Sequence, residues 1–345
     1  MIIDLIKIFV IGSASFFLAF FLTPALTYFL YKYKLWKKTS KLKSIDGYDL
    51  EVFPKFHAQK ETKVPRIGGI LIWFSVLFLS YFFYFLSKTG IWSLEKMNFL
   101  NRSQTWLPLF ALVAAALVGL TDDVLEILSK KVIGLKLRYR ILLVALIGLI
   151  GSWWFFYKLG FQTIHIPGNG DIFIGFWYIP LFILVMIATY SGSVIDGLDG
   201  LSGGAFASMF AAFGAIALAR GQIDLAAFCI AITGAILAFL WFNIPPARFY
   251  MGETGIMGLC CSLTVIAFLT DSVLVLPIIG FLLVIESGSV IIQLISKKLG
   301  KKVFLAAPLH HHFEAKLWPH YKITMRFWII GVIAALVGVA IRLLG

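Results

Sequence analysis

The sequence predicts an all-α polytopic membrane protein: one integral-membrane domain over residues 1–345, with about ten spanning helices and one small β-hairpin. Three observations carry this. Apolar residues make up 60% of the chain and charged residues 14%, with a mean hydropathy of +0.93; a soluble domain carries about 45–50% and about 25%. The apolar residues come in blocks near the ~20 residues that cross a bilayer as a helix. Lys and Arg gather on alternate connecting loops.

The spans read in order near 6–30, 67–87, 106–121, 141–157, 173–190, 203–219, 224–242, 255–271, 274–296 and 325–344. The first is too long for a cleaved signal peptide and lacks a small-residue cleavage site. The third and sixth are short or rich in Ala and Gly. Between the fourth and fifth, residues 161–175 alternate around Gly168-Asn169-Gly170, which predicts an outer β-hairpin. No internal repeat or low-complexity tract interrupts the series. Cys229, Cys260 and Cys261 all fall inside apolar spans without metal-ligand spacing, so they read as small packing residues.

Orientation follows from the basic residues. Ten spans put both termini on one side. The loops after spans 1, 3, 5, 7 and 9, with Arg66 and Arg326 at span ends, hold 23 of the 30 Lys and Arg. The other side keeps Lys7, Lys88, Lys96, Arg102, Lys158, Arg220 and Arg342. The odd-numbered loops are therefore expected in the cytoplasm and both termini outside, as in a multi-pass inner-membrane protein. The net charge of +13 is mostly one basic face. That face attracts anionic lipid and also suits phosphorylated substrates. Nothing resembles a soluble nucleic-acid-reading module, so no nucleic-acid partner is expected.

The acidic residues are the informative ones. Only 17 exist, and Asp122, Asp123, Glu126, Asp196, Asp199, Glu253 and Glu286 gather at cytoplasmic span ends. A carboxylate near the bilayer is costly and marks a pair or a site. Read singly, each is a helix cap or a partner for a nearby Lys. Read together on one face, they suit a hard cation and a diphosphate, because Mg²⁺ uses one or two carboxylates plus substrate phosphates. Asp196 and Asp199 are three apart and share a face on a helical turn. The surrounding glycines at 197, 200, 203 and 204 allow close backbone approach. Adjacent Asp122 and Asp123 point in different directions on a helix, so one can bind metal while the other orients or deprotonates a nucleophile.

Two loops add weaker signals. Residues 243–254 contain Asn243, Pro245-Pro246, Phe249 and Tyr250: an amide and aromatic faces that could hold a planar base, or an ordinary interfacial aromatic belt. Residues 307–314 read Ala-Pro-Leu-His-His-His-Phe-Glu. Consecutive helical positions lie about 100° apart, so three successive histidines cannot all face one Zn²⁺. Donors to phosphate or sugar oxygens, with one proton carrier, fit better.

With these residues in view, the chain from Pro65 to the C-terminus resembles the phospho-N-acetylmuramoyl-pentapeptide transferase family, within the polyprenyl-phosphate N-acetylhexosamine-1-phosphate transferase superfamily. Asp122-Asp123 and Asp196-Gly-Leu-Asp-Gly-Leu201 resemble the superfamily elements. Pro308-Leu-His-His-His-Phe-Glu314, with Gln293 before it and Arg326-Phe-Trp after it, resembles the muramoyl branch. Pro65-Arg-Ile-Gly-Gly69, Trp241-Phe-Asn243 and Met251-Gly-Glu-Thr-Gly255 complete the likeness.

The resemblance implies transfer of phospho-MurNAc-pentapeptide from UDP to undecaprenyl phosphate, giving lipid I and UMP with Mg²⁺ in peptidoglycan synthesis. It implies catalytic roles for Asp122, Asp123, Glu253 and His311, with Asp122, Asp123 and Glu253 facing lipid phosphate or metal. It implies substrate contacts for Asp196, Gly197, Leu198, Asp199, Asn243, Tyr250, Arg140, Gln293, His310 and His312, with Arg138 beside Arg140. The partners implied are undecaprenyl phosphate, UDP-MurNAc-pentapeptide and membrane lipid; a homodimer is compatible with the sequence. The chain also departs from the family pattern. Glu253 replaces Asp, Ser193 replaces Asn, Glu126 stands where Lys follows the Asp pair, and Glu61, flanked by Lys60 and Lys63, stands where Lys precedes the Gly-Gly element. Arg66 resembles the N-acetylglucosamine-phosphate branch. A sister transferase and a non-enzymatic lipid-binding or transport protein are therefore the alternatives. The second predicts charges near mid-span, of which the spans are nearly free.

Overall fold

A computed structural model describes residues 2–38, 62–129 and 134–345, apart from the side chains of Trp92 and Ser93. The helices are α1 (Ile2–Lys32), α2 (Ile70–Leu86), the short α3 (Trp92–Glu95), α4 (Trp106–Leu128) and α5 (Leu137–Trp153). The hairpin β1 (Thr163–Ile166) and β2 (Gly170–Phe173) follows. Then come α6 (Tyr178–Ser191), α7 (Leu201–Ala219), α8 (Ile223–Asn243) and α9 (Gly252–Leu269). The chain ends with α10 (Leu276–Ile279), α11 (Phe281–Lys298), α12 (Leu309–Ala315) and α13 (His320–Leu344).

Among the described residues, nine helices are long and apolar enough to cross a membrane. The segment expected as one span over 274–296 is instead two helices, α10 and α11, meeting at Gly280. Its hydropathy is unbroken, but Pro277 stands at the start of α10, and α11 carries buried Glu286 and ends on Lys297 and Lys298. The hairpin forms where alternation placed it, antiparallel, with His165 opposite Asp171.

The bundle is built around α9, whose most apolar window is 94% buried, against 28% for α13 and 33% for α1. Lipid does not favour burial of Leu over exposure, so close packing needs small residues. Gly69 and Gly255 face each other so closely that a Cβ on Gly69 would lie 2.4 Å from the Gly255 backbone. Gly234 of α8 likewise sits against the Gly12 carbonyl of α1, where a Cβ would approach to 2.3 Å. The three cysteines are buried and unbridged, as expected of packing residues. The outer helices turn phenylalanines outward, among them Phe9, Phe17 and Phe21 on α1 and Phe78, Phe82 and Phe85 on α2. Such a surface suits acyl chains as solvent.

Both ends of the chain lie at one end of the bundle. Lys7 of α1 donates to the Asn98 carbonyl and to Asp224, each at 2.6 Å. The Gly345 carbonyl lies 2.8 Å from His165 Nε2 on the hairpin. The acidic span ends lie at the other end.

Candidate active site

A close helix crossing sets the site. α4 meets the start of α9 at Gly119, where a Cβ would lie 2.1 Å from the Glu253 carbonyl oxygen. One turn further, α4 presents Asp122 and Asp123, which diverge as adjacent helical positions must. Asp122 is 1% exposed; it accepts the Leu135 N–H and lies 3.4 Å from Arg140 Nε. Asp123 is fully buried, and its Oδ2 accepts the Thr254 N–H at 2.9 Å. Its Oδ1 has no hydrogen-bond partner among the described residues and lies 3.7 Å from Arg66 Nε. Arg66 Nε is also 3.6 Å from Glu126, which pairs with Lys37 at 2.8 Å.

Glu253 completes the group. Its Oε1 accepts from Arg140 Nη1 at 2.6 Å and its Oε2 from the Tyr190 hydroxyl at 3.4 Å. Arg140 thus bridges Asp122 and Glu253, offsetting two carboxylates whose isolated burial would be expensive. Arg138 instead lies exposed, 4.8 Å over the Tyr139 ring.

A second group comes from the turn between α6 and α7. After a 3₁₀ turn over Gly192–Ile195, Gly200 adopts φ +78° and α7 begins. Asp196 accepts the Ser202 hydroxyl at 2.6 Å and the Gly252 N–H. Desolvation raises Asp196 above the usual carboxylate range, against the pull of Ser202 and Arg66. Gly197 faces His310, so a Cβ there would lie 2.1 Å from Nε2. Glu286 of α11 holds His310 twice, at Nδ1 (2.9 Å) and at the backbone N–H (3.2 Å). Burial alone would lower His310; the Glu286 charge and hydrogen bond outweigh it and raise the imidazole above its ordinary value. His310 Nε2 is buried without a hydrogen-bond partner among the described residues.

The remaining expected residues shape the walls. Asn243 spends its amide on the backbone, accepting from Gly200 N–H at 2.9 Å and donating to the Phe249 carbonyl at 2.8 Å. Asp199 accepts the Ala247 N–H at 3.3 Å, and Leu198 is buried beside it in sequence. Tyr250 pairs backbone to backbone with Pro65 and Gly68. Gln293 closes its amide on the Phe304 N–H and carbonyl at 2.9 and 3.0 Å. His311 is hydrogen-bonded through Nδ1 to Glu314, its ring 4.2 Å from that of His310. His312 turns away: its Nδ1 accepts the Leu305 N–H at 3.1 Å, and burial and Lys316 lower it. The expectations placed on Lys60 and Glu61 lie outside the described residues.

The site brings together Asp122, Asp123, Glu253, Arg140, Asp196, Gly197 and His310. It does not close Asp122, Asp123 and Glu253 into one three-ligand cage. Among the described residues, the group whose ligating atoms converge within 4.8 Å is His165, Asp171 and Asp271 at the opposite end. Arg140 stands between Asp122 and Glu253 instead. The donor set still suits a hard divalent cation, since Asp123 Oδ1 is a buried carboxylate oxygen left without a hydrogen bond and one or two carboxylates suffice beside phosphate. Nothing in the sequence marks a role for Tyr190, Glu314 or His320: Tyr190 sits in an apolar span without a signal, whereas Glu314 stands inside the histidine element over 307–314.

Comparison with known proteins agrees with this geometry. The family model described as glycosyl transferase family 4 matches residues 105–271. A phospho-N-acetylmuramoyl-pentapeptide-transferase of Geobacillus thermodenitrificans is 37% identical over 294 residues, covering 84% of this chain and 86% of the relative. Those of Levilactobacillus brevis and Bacillus licheniformis are 35% and 36% identical, covering 83% and 84% of this chain and 86% of each relative. Similarity of that extent, over a helical bundle with its carboxylates gathered at one end, means that the chain belongs to the phospho-N-acetylmuramoyl-pentapeptide transferase family.

Proposed function

We propose that this protein transfers phospho-N-acetylmuramoyl-pentapeptide from its uridine diphosphate carrier to undecaprenyl phosphate, forming lipid I and UMP, at the cytoplasmic face of a bacterial inner membrane with Mg²⁺. The observation that carries the reading is the pair of buried aspartates, Asp122 and Asp123, bracketed by Arg140, Arg66 and Glu253 at one end of the bundle. Lys37, Arg66 and Arg140 at that end belong to the basic residues expected on the cytoplasmic side. That end is where a lipid phosphate at the membrane surface and a water-soluble nucleotide can meet.

An oxygen of the lipid phosphate forms a bond to the phosphorus attached to the sugar, and the bond from that phosphorus to the UMP oxygen breaks. One phosphoanhydride replaces another, so the reaction is near energy balance and catalysis is mainly positioning and charge neutralisation. Mg²⁺, when bound, supplies positive charge to the phosphate oxygens. Asp122, Asp123 and Glu253 are the residues that would hold it. Arg140 and Arg66 fix the direction of these carboxylates and offset their charge. Asp123 directs its uncommitted Oδ1 at the incoming lipid phosphate. His310, held at Nδ1 by Glu286, offers Nε2–H to a phosphate or sugar oxygen beside Gly197, and His311 stands next to it. Asp196, Asp199, Asn243 and Tyr250 fix the turn and loop that form the uridine side. Leu198 belongs to the same turn, and Gln293 and His312 belong with His310 and His311 to the wall on the sugar-phosphate side.

The test is UMP release by purified protein with undecaprenyl phosphate, Mg²⁺ and either UDP-MurNAc-pentapeptide or UDP-N-acetylglucosamine. Release with the first donor is expected. Release with only the second would overturn the substrate, and release with neither would overturn the enzyme.

A further inference from the structure

One buried carboxylate serves two imidazoles. Glu314 of α12 is 1% exposed. Its Oε2 bonds His311 Nδ1, and its Oε1 lies 2.8 Å from Nε2 of His320, the first residue of α13. With Nδ1–H committed to Glu314, the His311 atom that can gain or lose a proton is Nε2. His320 takes one Glu314 oxygen through Nε2 while His311 takes the other through Nδ1, so the two imidazoles divide the carboxylate between them.

We propose that His320 is a positioning residue for the transfer reaction: by taking one oxygen of Glu314, it fixes the carboxylate that orients His311 and limits how tightly His311 holds its proton. This rests on the reading of His311 as part of the catalytic face. Among the described residues, the groups facing His311 include Glu314 and His310 from its own helix and His320 through Glu314. Glu286 of α11 and the Asp196 turn act through His310. Without His320, the undivided Glu314 charge falls on His311, which then keeps its proton to higher pH.

The experiment uses the full-length protein in lipid nanodiscs. The pH midpoint of His311 modification by diethyl pyrocarbonate is read by mass spectrometry, beside the kinetics of UMP release. His320→Leu should raise the His311 midpoint and lower kcat about tenfold, with KM for the nucleotide within about twofold. His320→Gln, which keeps an N–H donor for Glu314, should restore both. In a His311→Asn background, His320→Leu should lower kcat no further. An unchanged His311 midpoint in folded His320→Leu protein would overturn the proposal, as would an additive loss in the His311→Asn background. Failure of the unsubstituted protein to release UMP would instead refute the transferase reading, while the His311 midpoint would still decide the role of His320.

Discussion

Arg140 shows most clearly how charge is managed at the residue scale. It touches both Asp122 and Glu253, so removing it leaves two like charges close together with nothing between them. Arg140→Leu is expected to destabilise the protein by about 2–3 kcal/mol, less than for a fully buried pair because the side chain is 23% exposed. Adding Glu253→Gln should recover part of that loss in thermal unfolding; a purely additive loss would show that the two side chains are not coupled. His310 makes a pH prediction. Its pKa is raised in the folded state, so its pairing with Glu286 stabilises fully below the ordinary histidine range and is lost as pH rises through the raised value. The unfolding temperature of Glu286→Gln should therefore fall furthest below the unsubstituted protein in mildly acidic buffer, and the gap should narrow toward alkaline pH. An equal gap at all pH values would contradict the ion pair. The carboxylates were legible in the sequence because charge is rare in these spans. Their pairings were not: the sequence marks Arg140 as a substrate contact and Arg66 as a branch feature, but only folding brings them to acids far away in the chain, and His320 to Glu314.

At the scale of elements, the site depends on how closely α4 and α9 cross. A methyl group at Gly119 has nowhere to go, since its Cβ would lie 2.1 Å from a backbone oxygen of Glu253. Gly119→Ala should push the helices apart, cost about 1–3 kcal/mol, and reduce UMP release by separating Asp122 from Glu253. Full activity in this variant would mean that the crossing does not set the site. Hydropathy revealed the spans, and alternation around Gly168-Asn169-Gly170 revealed the hairpin, because both are local patterns. The break at Gly280 was not legible, since the apolar run over 274–296 continues through it. Nor was the employment of Asn243 and Gln293 on backbone groups, which depends on where Phe249, Gly200 and Phe304 come to lie.

The whole molecule is a bundle with the buried aspartate pair at one end and a separate set of charged contacts, Lys7 with Asp224 and His165 with Asp171, at the other. The uneven distribution of Lys and Arg along the chain makes two sides legible from composition alone, and the contacts of Lys7 and Gly345 show that both chain ends share the end opposite Asp122. The three native cysteines are buried, so single introduced cysteines can report sidedness. In intact cells, a membrane-impermeant maleimide should label Asp171→Cys on the hairpin and spare Lys316→Cys. The reverse pattern would invert the proposed orientation.

The central claim is that phosphosugar transfer takes place at the buried aspartate pair. Asp123→Asn tests it most directly, because the amide keeps the shape of the side chain and can keep the Thr254 hydrogen bond while removing the charge at Oδ1. UMP release from UDP-MurNAc-pentapeptide should fall by more than about 100-fold, with the unfolding temperature within a few degrees of the unsubstituted protein. Turnover near the unsubstituted rate would place the chemistry elsewhere.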